Sequence, residues 1–222
     1  MTHPAKSFWS DRTEAFGRTS SNASLFRFFG QGGFDFAGKK VLEIGFGFGA
    51  DLLEAERRGA EIYGIDISAR AVDAMVQKTG RPNFRLGDVT KDPIGFPQAF
   101  DAVYCRDTIY YFTDDEISAF ARHCRAAQAP SGILVIQFIQ GNYRRKTAPD
   151  PASVDPVGWD EWEMLDGVFH PDNPIRILAP KDVVRLLTAA GLTLTGKKTM
   201  WETYGISEEI MQCNRYLMFR PT

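Results

Sequence analysis

The stretch Val41-Leu-Glu-Ile-Gly-Phe-Gly-Phe-Gly-Ala50 sets three glycines at alternate positions directly behind a short apolar run. Glycine reaches positive φ at no steric cost and leaves the main chain open to close approach, so this spacing belongs where a strand turns sharply into a helix. The N–H groups at the start of such a helix have no intrahelical partner and point at whatever occupies the corner. The chain must therefore hold a strand-turn-helix unit of the kind that open α/β sheets use to bind nucleotides and anions.

The flanking pattern extends that unit into a sheet. Lys40 to Gly45 reads as the first strand, and Ala50 to Arg58 as a helix with Leu52, Leu53 and Ala55 on one face. Glu61 to Asp66 reads as a second strand, and Ser68 as the N-cap of a helix running to about Lys78. Asn83 to Gly87 and Phe100 to Cys105 are the third and fourth strands, and Asp114 to Ala127 is an amphipathic helix with an acidic first turn. Gly132 to Phe138 has the continuous apolar character of a strand buried on both faces. Such alternation predicts a parallel sheet covered by helices.

After Phe138 the rhythm breaks, and residues 141–180 are rich in Pro, Asp and aromatic side chains with little periodicity. A helix is expected from Pro180 to Ala190, closed by Gly191, and then two strands, about Thr193 to Trp201 and Cys213 to Arg220, that pair antiparallel at one end of the sheet. No linker divides the chain, so 1–222 reads as one domain, with 1–33 as an N-terminal helical cap and 141–180 as a substrate-side insertion. The cap carries Phe8-Trp-Ser-Asp11 and Leu25-Phe-Arg-Phe-Phe29, with Phe8 or Trp9 expected near the site.

Charge narrows the partners. The 26 basic and 28 acidic side chains nearly cancel, which gives no general electrostatic reason to bind nucleic acid or an anionic membrane. The first residues have no apolar core of signal-peptide length and no later run is long enough to span a membrane, so the expectation is a cytoplasmic protein. Cys105, Cys124 and Cys213 form no Cys-x-x-Cys pair, and with His3, His123 and His170 they show no metal-ligand spacing. No metal is expected.

Glu43 is the residue that discriminates between ligands. It lies inside an otherwise apolar strand, where an uncompensated carboxylate carries a large desolvation cost, and at the end of that strand it would meet a ligand cation. A pyrophosphate dinucleotide brings negative charge to this corner, whereas S-adenosylmethionine brings an ammonium and a sulfonium. Gly45, Gly47 and Ala50 also satisfy the G-x-G-x-x-A dinucleotide fingerprint, so an NAD-dependent oxidoreductase on a Rossmann fold remains the alternative of a different class.

From about Phe34 to Pro221 the chain resembles the class I S-adenosylmethionine-dependent methyltransferases. Val41 to Gly49 is similar to that family's first motif, which the resemblance implies would hold the cofactor through Glu43, Gly45, Gly47 and Gly49. Gly64-Ile-Asp-Ile-Ser68 resembles the second, in which Asp66 would bind the ribose hydroxyls and Ile67 would cover the adenine. Leu86-Gly-Asp-Val89 resembles the third, in which Asp88 would accept from the adenine amino group and Val89 would donate its backbone N–H. Phe100 to Phe112 resembles the fourth, which closes the methionine side of the pocket, and Ala129 to Ile136 the turn and strand that follow. Read from the residues alone, Asp66 caps a helix, Asp88 shapes a turn, and Arg106 either pairs with Asp107 on the surface or contacts the cofactor.

The resemblance implies a Rossmann-like seven-stranded sheet, mostly parallel with an antiparallel last strand and helices on both faces. It also implies methyl transfer to a small-molecule acceptor, through an oxygen or nitrogen nucleophile, by in-line displacement. Two departures leave the acceptor open: no histidine stands near Tyr110 or Tyr111, where many relatives carry one, and residues 141–180 match none of the family's motifs. Asp107, Tyr110, Tyr111, His123 and His170 are the candidates for proton handling, with Tyr110, Tyr111 and His170 preferred as the catalytic set. A protein or RNA acceptor is the alternative within the same chemistry. Nucleic acid is disfavoured, because no Asn/Asp-Pro-Pro-Tyr/Phe run follows the fourth strand and no basic stretch exceeds Arg144-Arg-Lys146. Oligomeric state is left open by the sequence.

Overall fold

A computed structural model describes residues 9, 20–145, 154–157, 178–203 and 210–222. In chain order its elements are α1 (Ala23–Gln31), β1 (Lys40–Ile44), α2 (Ala50–Arg57), β2 (Glu61–Asp66), α3 (Ala69–Thr79), β3 (Phe84–Leu86) and β4 (Phe100–Arg106). A 3-10 turn (Ile109–Tyr111) follows, then α4 (Asp114–Ala127), β5 (Gln128–Arg145), β6 (Val154–Val157), α5 (Pro180–Ala189), β7 (Leu192–Thr203) and β8 (Ile210–Pro221). Among the described residues no helix is long and apolar enough to cross a membrane.

The sheet runs β3-β2-β1-β4-β5-β8-β7. Its first five strands are parallel; β8 is antiparallel to both β5 and β7, which makes it the reversed strand of a seven-stranded path. Alternation of side chains along each strand divides the core in two. Val41, Ala102, Tyr104, Val135, Tyr216 and Met218 face α1, α2 and α3, while Leu42, Ile44, Val103, Cys105, Leu134 and Phe138 face α4 and α5. The parallel strands are buried on both sides, which is why Gly132 to Phe138 carries no polar alternation.

Local chemistry sets the helix ends. Ser68 Oγ accepts from Ala71 N at the start of α3, which stops at Gly80 in the left-handed region at φ 69°. Thr113 and Glu116 form a reciprocal capping box on α4, reinforced by Asp114 and Asp115 in the first turn. Pro180 opens α5, where its missing N–H costs no intrahelical bond. In α1 the residues Leu25, Phe26, Phe28 and Phe29 are buried against the sheet. Phe29 lies at the centre of this packing, with ring centroids 5.4 Å from Phe34, 5.0 Å from Phe36 and 5.7 Å from Tyr104.

The part of the structure that departs most from the expectation is β5. Expected over Gly132 to Phe138, it runs from Gln128 to Arg145, and its far end takes up part of the segment read as aperiodic. Backbone pairing supplies what local pattern lacks: Gly141 pairs with Cys213, Asn142 with Gln212, Tyr143 with Met211 and Arg144 with Ile210. A short strand unanticipated by the sequence, β6, pairs antiparallel with the same extension on its other side.

Candidate active site

The three glycines of the first turn all have positive φ, 72° at Gly45, 54° at Gly47 and 69° at Gly49, but the space around them differs. A Cβ at Gly45 would strike the Thr108 side chain, and one at Gly49 would strike Met75 of α3. Nothing lies within 4 Å of where a Cβ at Gly47 would stand. Gly45 is thus closely packed on Thr108 and Gly49 on the end of the Met75 side chain, whereas Gly47 lines open space at the corner. Gly45 N donates to Ile65 O at 2.8 Å and Gly49 N to Phe46 O at 2.8 Å, which stitches the turn to β2 and to itself.

Asp66 ends β2 beside that opening. Its carboxylate accepts from Gly47 N at 2.8 Å and from Ser68 N at 2.9 Å, joining the glycine turn to the cap of α3. Burial pushes its carboxyl above the usual carboxylate range, against the opposing effect of the Gly47, Ser68 and Ile67 N–H groups. Each oxygen of a carboxylate has two lone pairs, so acceptor capacity remains after these bonds.

The next loop is held more tightly. Asp88 Oδ1 accepts from Thr90 N at 3.1 Å and from Thr90 Oγ1 at 2.6 Å, while Oδ2 meets Lys91 Nζ at 2.6 Å. Burial works against the Asp88 charge, yet Lys91 and Thr90 together hold its carboxyl below the usual range. Asp88 therefore shapes the turn, as its residue type alone suggested. His123, on α4, reaches Val89 O through Nδ1 at 2.8 Å.

A buried polar network lies under α1. Glu43, 3% exposed, accepts from Tyr104 Oη at 2.9 Å. Arg106 Nε stands 2.5 Å from Asp51 Oδ2, an ion pair whose N–H is not aligned on the oxygen. Asp51 Oδ1 accepts from Asn22 N, the cap residue of α1, at 2.7 Å. Burial, with the charges of Glu43 and Asp51, keeps the Tyr104 hydroxyl protonated far above its ordinary range. The expected surface pairing of Arg106 with Asp107 is corrected here: the guanidinium is buried against Asp51. Arg106 is the last residue of β4, and Asp107 after it turns into the left-handed region at φ 51°. Asp51 went unnoticed in the sequence; an acidic residue in the first turn of the helix behind the glycines was the available signal.

At the end of β4, Asp107 is the only non-glycine with positive φ among the described residues, at 51°. Its N–H donates to Gln137 O at 3.0 Å, and Thr108 Oγ1 donates to Arg106 O at 3.1 Å. Beyond this strained corner, Tyr110 and Tyr111 are 4% and 7% exposed in the 3-10 turn, with their rings edge to face at 4.8 Å. Trp9 packs edge-on against Tyr111 at 6.0 Å. Gln137 Nε2 donates to Asn214 Oδ1 at 2.8 Å on the neighbouring strands. Phe8 and His170 lie outside the described residues, as do Trp159, Trp162 and Phe169, aromatic residues of the 141–180 segment that were expected to help line the acceptor pocket.

The structure thus brings Glu43, Gly45, Gly47, Gly49, Asp66, Ile67, Asp88, Val89 and Arg106 to the carboxyl ends of β1, β2, β3 and β4, where open α/β sheets bind ligands. Among the described residues no cluster of His, Cys, Asp and Glu could hold a metal ion. Cys105, Cys124 and Cys213 are free and buried, and burial pushes the Cys105 thiol up to about 12.

Residues 41–132 match the family described as a methyltransferase domain. The ubiquinone biosynthesis O-methyltransferase of Rhodopseudomonas palustris (strain TIE-1) is 29% identical over 109 residues, 48% of this chain and 42% of that protein. Its counterpart from Chromobacterium violaceum is 30% identical over 164 residues, 71% of this chain and 66% of that protein. The match to the Rhodopseudomonas relative spans less than half of that relative's length. Among solved structures, the magnesium protoporphyrin IX methyltransferase from Synechocystis PCC 6803 with bound SAM has the same fold, with a TM-score of 0.64 and 16% identity over 100% of this chain and 98% of that one.

Proposed function

We propose, for a chain that belongs to the class I S-adenosylmethionine-dependent methyltransferases, that its sheet-end corner binds S-adenosylmethionine and that it transfers the methyl group in line to a small-molecule acceptor. One observation carries the reading: Asp66 bonds Gly47 N–H, so the acidic acceptor and the one turn glycine facing open space stand side by side. A ribose needs both, since its hydroxyls donate to a carboxylate and its cofactor chain must pass close to the main chain.

The remaining residues fit the same ligand. Ile67 would cover the adenine, with Asp88 and the Val89 N–H at its edge. Among the described residues, Glu43, Asp51 and Arg106 form the buried charged group beneath α1. Glu43 is assigned to the cofactor's ammonium end and Arg106 to its carboxylate. The antiparallel β8 disfavours the NAD-dependent alternative.

When bound, S-adenosylmethionine supplies a methyl carbon whose leaving group is a neutral thioether. The protein has to orient the acceptor and exclude water. Tyr110 and Tyr111, packed on each other and on Trp9, are assigned to the wall of the acceptor side, with His170 the proposed proton acceptor for a hydroxyl nucleophile. The O-methyltransferase activity named for the relatives supports an oxygen nucleophile over nitrogen. Residues 1–33 as cap and 141–180 as the segment that sets acceptor identity belong to this proposal, supported by the contact of Trp9 with Tyr111 and by the growth of β5 past the sheet end to Arg145. Cytoplasmic residence is also part of it, supported by three free thiols.

The test is transfer of labelled methyl from S-adenosylmethionine to separate panels of hydroxylated small molecules, amines, protein extract and RNA. Labelling confined to the small-molecule panels is expected; labelling confined to protein or RNA would replace the acceptor assignment.

A further inference from the structure

We infer that His123 is a positioning residue for the adenine end of the cofactor, acting through the main chain of the loop after β3. The inference rests on the S-adenosylmethionine reading and goes beyond it, since His123 lies 34 residues away from Val89 on α4, outside the loop itself.

The peptide between Val89 and Thr90 is held at both polar ends. Its N–H, on Thr90, donates to Asp88 Oδ1 at 3.1 Å, and its carbonyl, on Val89, accepts from His123 Nδ1 at 2.8 Å. The Lys91 and Asp92 N–H groups close on Asp88 O at 2.9 and 3.0 Å. The Val89 side chain is buried in the core shared with α4, 6% exposed. A peptide bonded at both ends cannot rotate without losing two hydrogen bonds, so the orientation of the neighbouring Asp88–Val89 peptide is fixed with it. That neighbour carries the Val89 N–H, which meets no acceptor among the described residues. His123 thus locks one face of the loop from below and leaves a preset donor on its ligand edge.

The bond also defines the protonation requirement. A carbonyl accepts only from a protonated nitrogen, so the neutral Nδ1–H tautomer and the imidazolium both satisfy it. The bond uses Nδ1–H as a fixed donor, which separates this positioning role from that of a general base.

The experiment compares wild type, His123→Ala and His123→Asn by calorimetry with S-adenosylmethionine and by initial rates at saturating acceptor. Wild type is titrated first: absence of binding there would remove the cofactor reading itself. With binding established, H123A is expected to weaken affinity and raise KM for S-adenosylmethionine about threefold to tenfold, with kcat unchanged. H123N, whose amide N–H stands near the place of Nδ1, is expected to recover most of the loss. Should H123A fail to fold, His123→Leu, which fills similar space without the donor, takes its place against H123N. Unchanged affinity in the folded variant, a loss confined to kcat, or no recovery in H123N would overturn the inference.

Discussion

Arg106 Nε at the end of β4 lies 2.5 Å from Asp51 Oδ2 in the first turn of α2, and both side chains are buried. The pair ties the strand that ends before the 3-10 turn of Tyr110 and Tyr111 to the helix that begins at the glycine turn. Asn22 N–H on the other Asp51 oxygen brings the start of α1 into the same contact. Three elements separated in sequence therefore meet on one carboxylate.

Removing one partner strands a buried charge. Arg106→Met should cost about 3–5 kcal/mol in urea unfolding, because the buried Asp51 carboxylate loses the guanidinium it is paired with. Asp51→Leu combined with Arg106→Met should recover much of that loss, since an apolar pair of similar volume removes both desolvation costs. Equal stability of single and double variants would show that the pair is not energetically coupled.

The glycines should separate stability from binding. Gly49→Ala places a methyl against Met75 in a left-handed backbone and should lower Tm markedly. Gly47→Ala bears only the backbone penalty, about 1–2 kcal/mol, but its methyl enters the open corner. Cofactor affinity should therefore fall more than stability for Gly47→Ala, with the reverse order for Gly49→Ala, as read by paired calorimetry and thermal melts.

Acid should act on Asp66 and Asp88 with opposite signs. Burial holds the Asp66 carboxyl above the usual carboxylate range, so its ionisation weighs against the ligand-free fold; that cost is relieved as pH falls through the raised folded value. A ribose ligand favours the charged form, so affinity should begin to fall at higher pH than an ordinary carboxylate would dictate. Asp88 is held below 3.8, so its contribution to stability is complete above the unfolded value and lost only as pH falls through the lower folded one. Affinity measured from pH 7 to 4 should thus decline before the fold does; simultaneous loss would contradict these assignments.

Phe29 anchors the N-terminal helix. Phe29→Ala should destabilise by about 3–5 kcal/mol, because the ring is fully buried among Phe34, Phe36 and Tyr104. A change below 1 kcal/mol in urea unfolding would mean that α1 contributes little to the core.

What the sequence made legible was whatever is encoded over a few neighbouring residues. The glycine turn, the Ser68 cap and the bounds of α4 follow from spacing and capping chemistry, and they recur in the structure. The extension of β5 to Arg145 was not legible, because Gly141, Asn142 and Arg144 have weak strand propensity and owe their conformation to pairing with β8. Contacts between distant residues were equally hidden. Asp51 with Arg106, and His123 with Val89, depend on which helix packs over which strand end, and no local pattern carries that.

The central claim, that Asp66 and the glycine turn form an S-adenosylmethionine site, is met most directly by calorimetry on wild type and Asp66→Ala with S-adenosylmethionine and NAD as separate titrants. Wild type should bind S-adenosylmethionine and not NAD, and the folded variant should bind it about 1–3 kcal/mol more weakly through loss of charge-assisted ribose bonds. Binding of NAD alone, or equal S-adenosylmethionine affinity in wild type and variant, would contradict it.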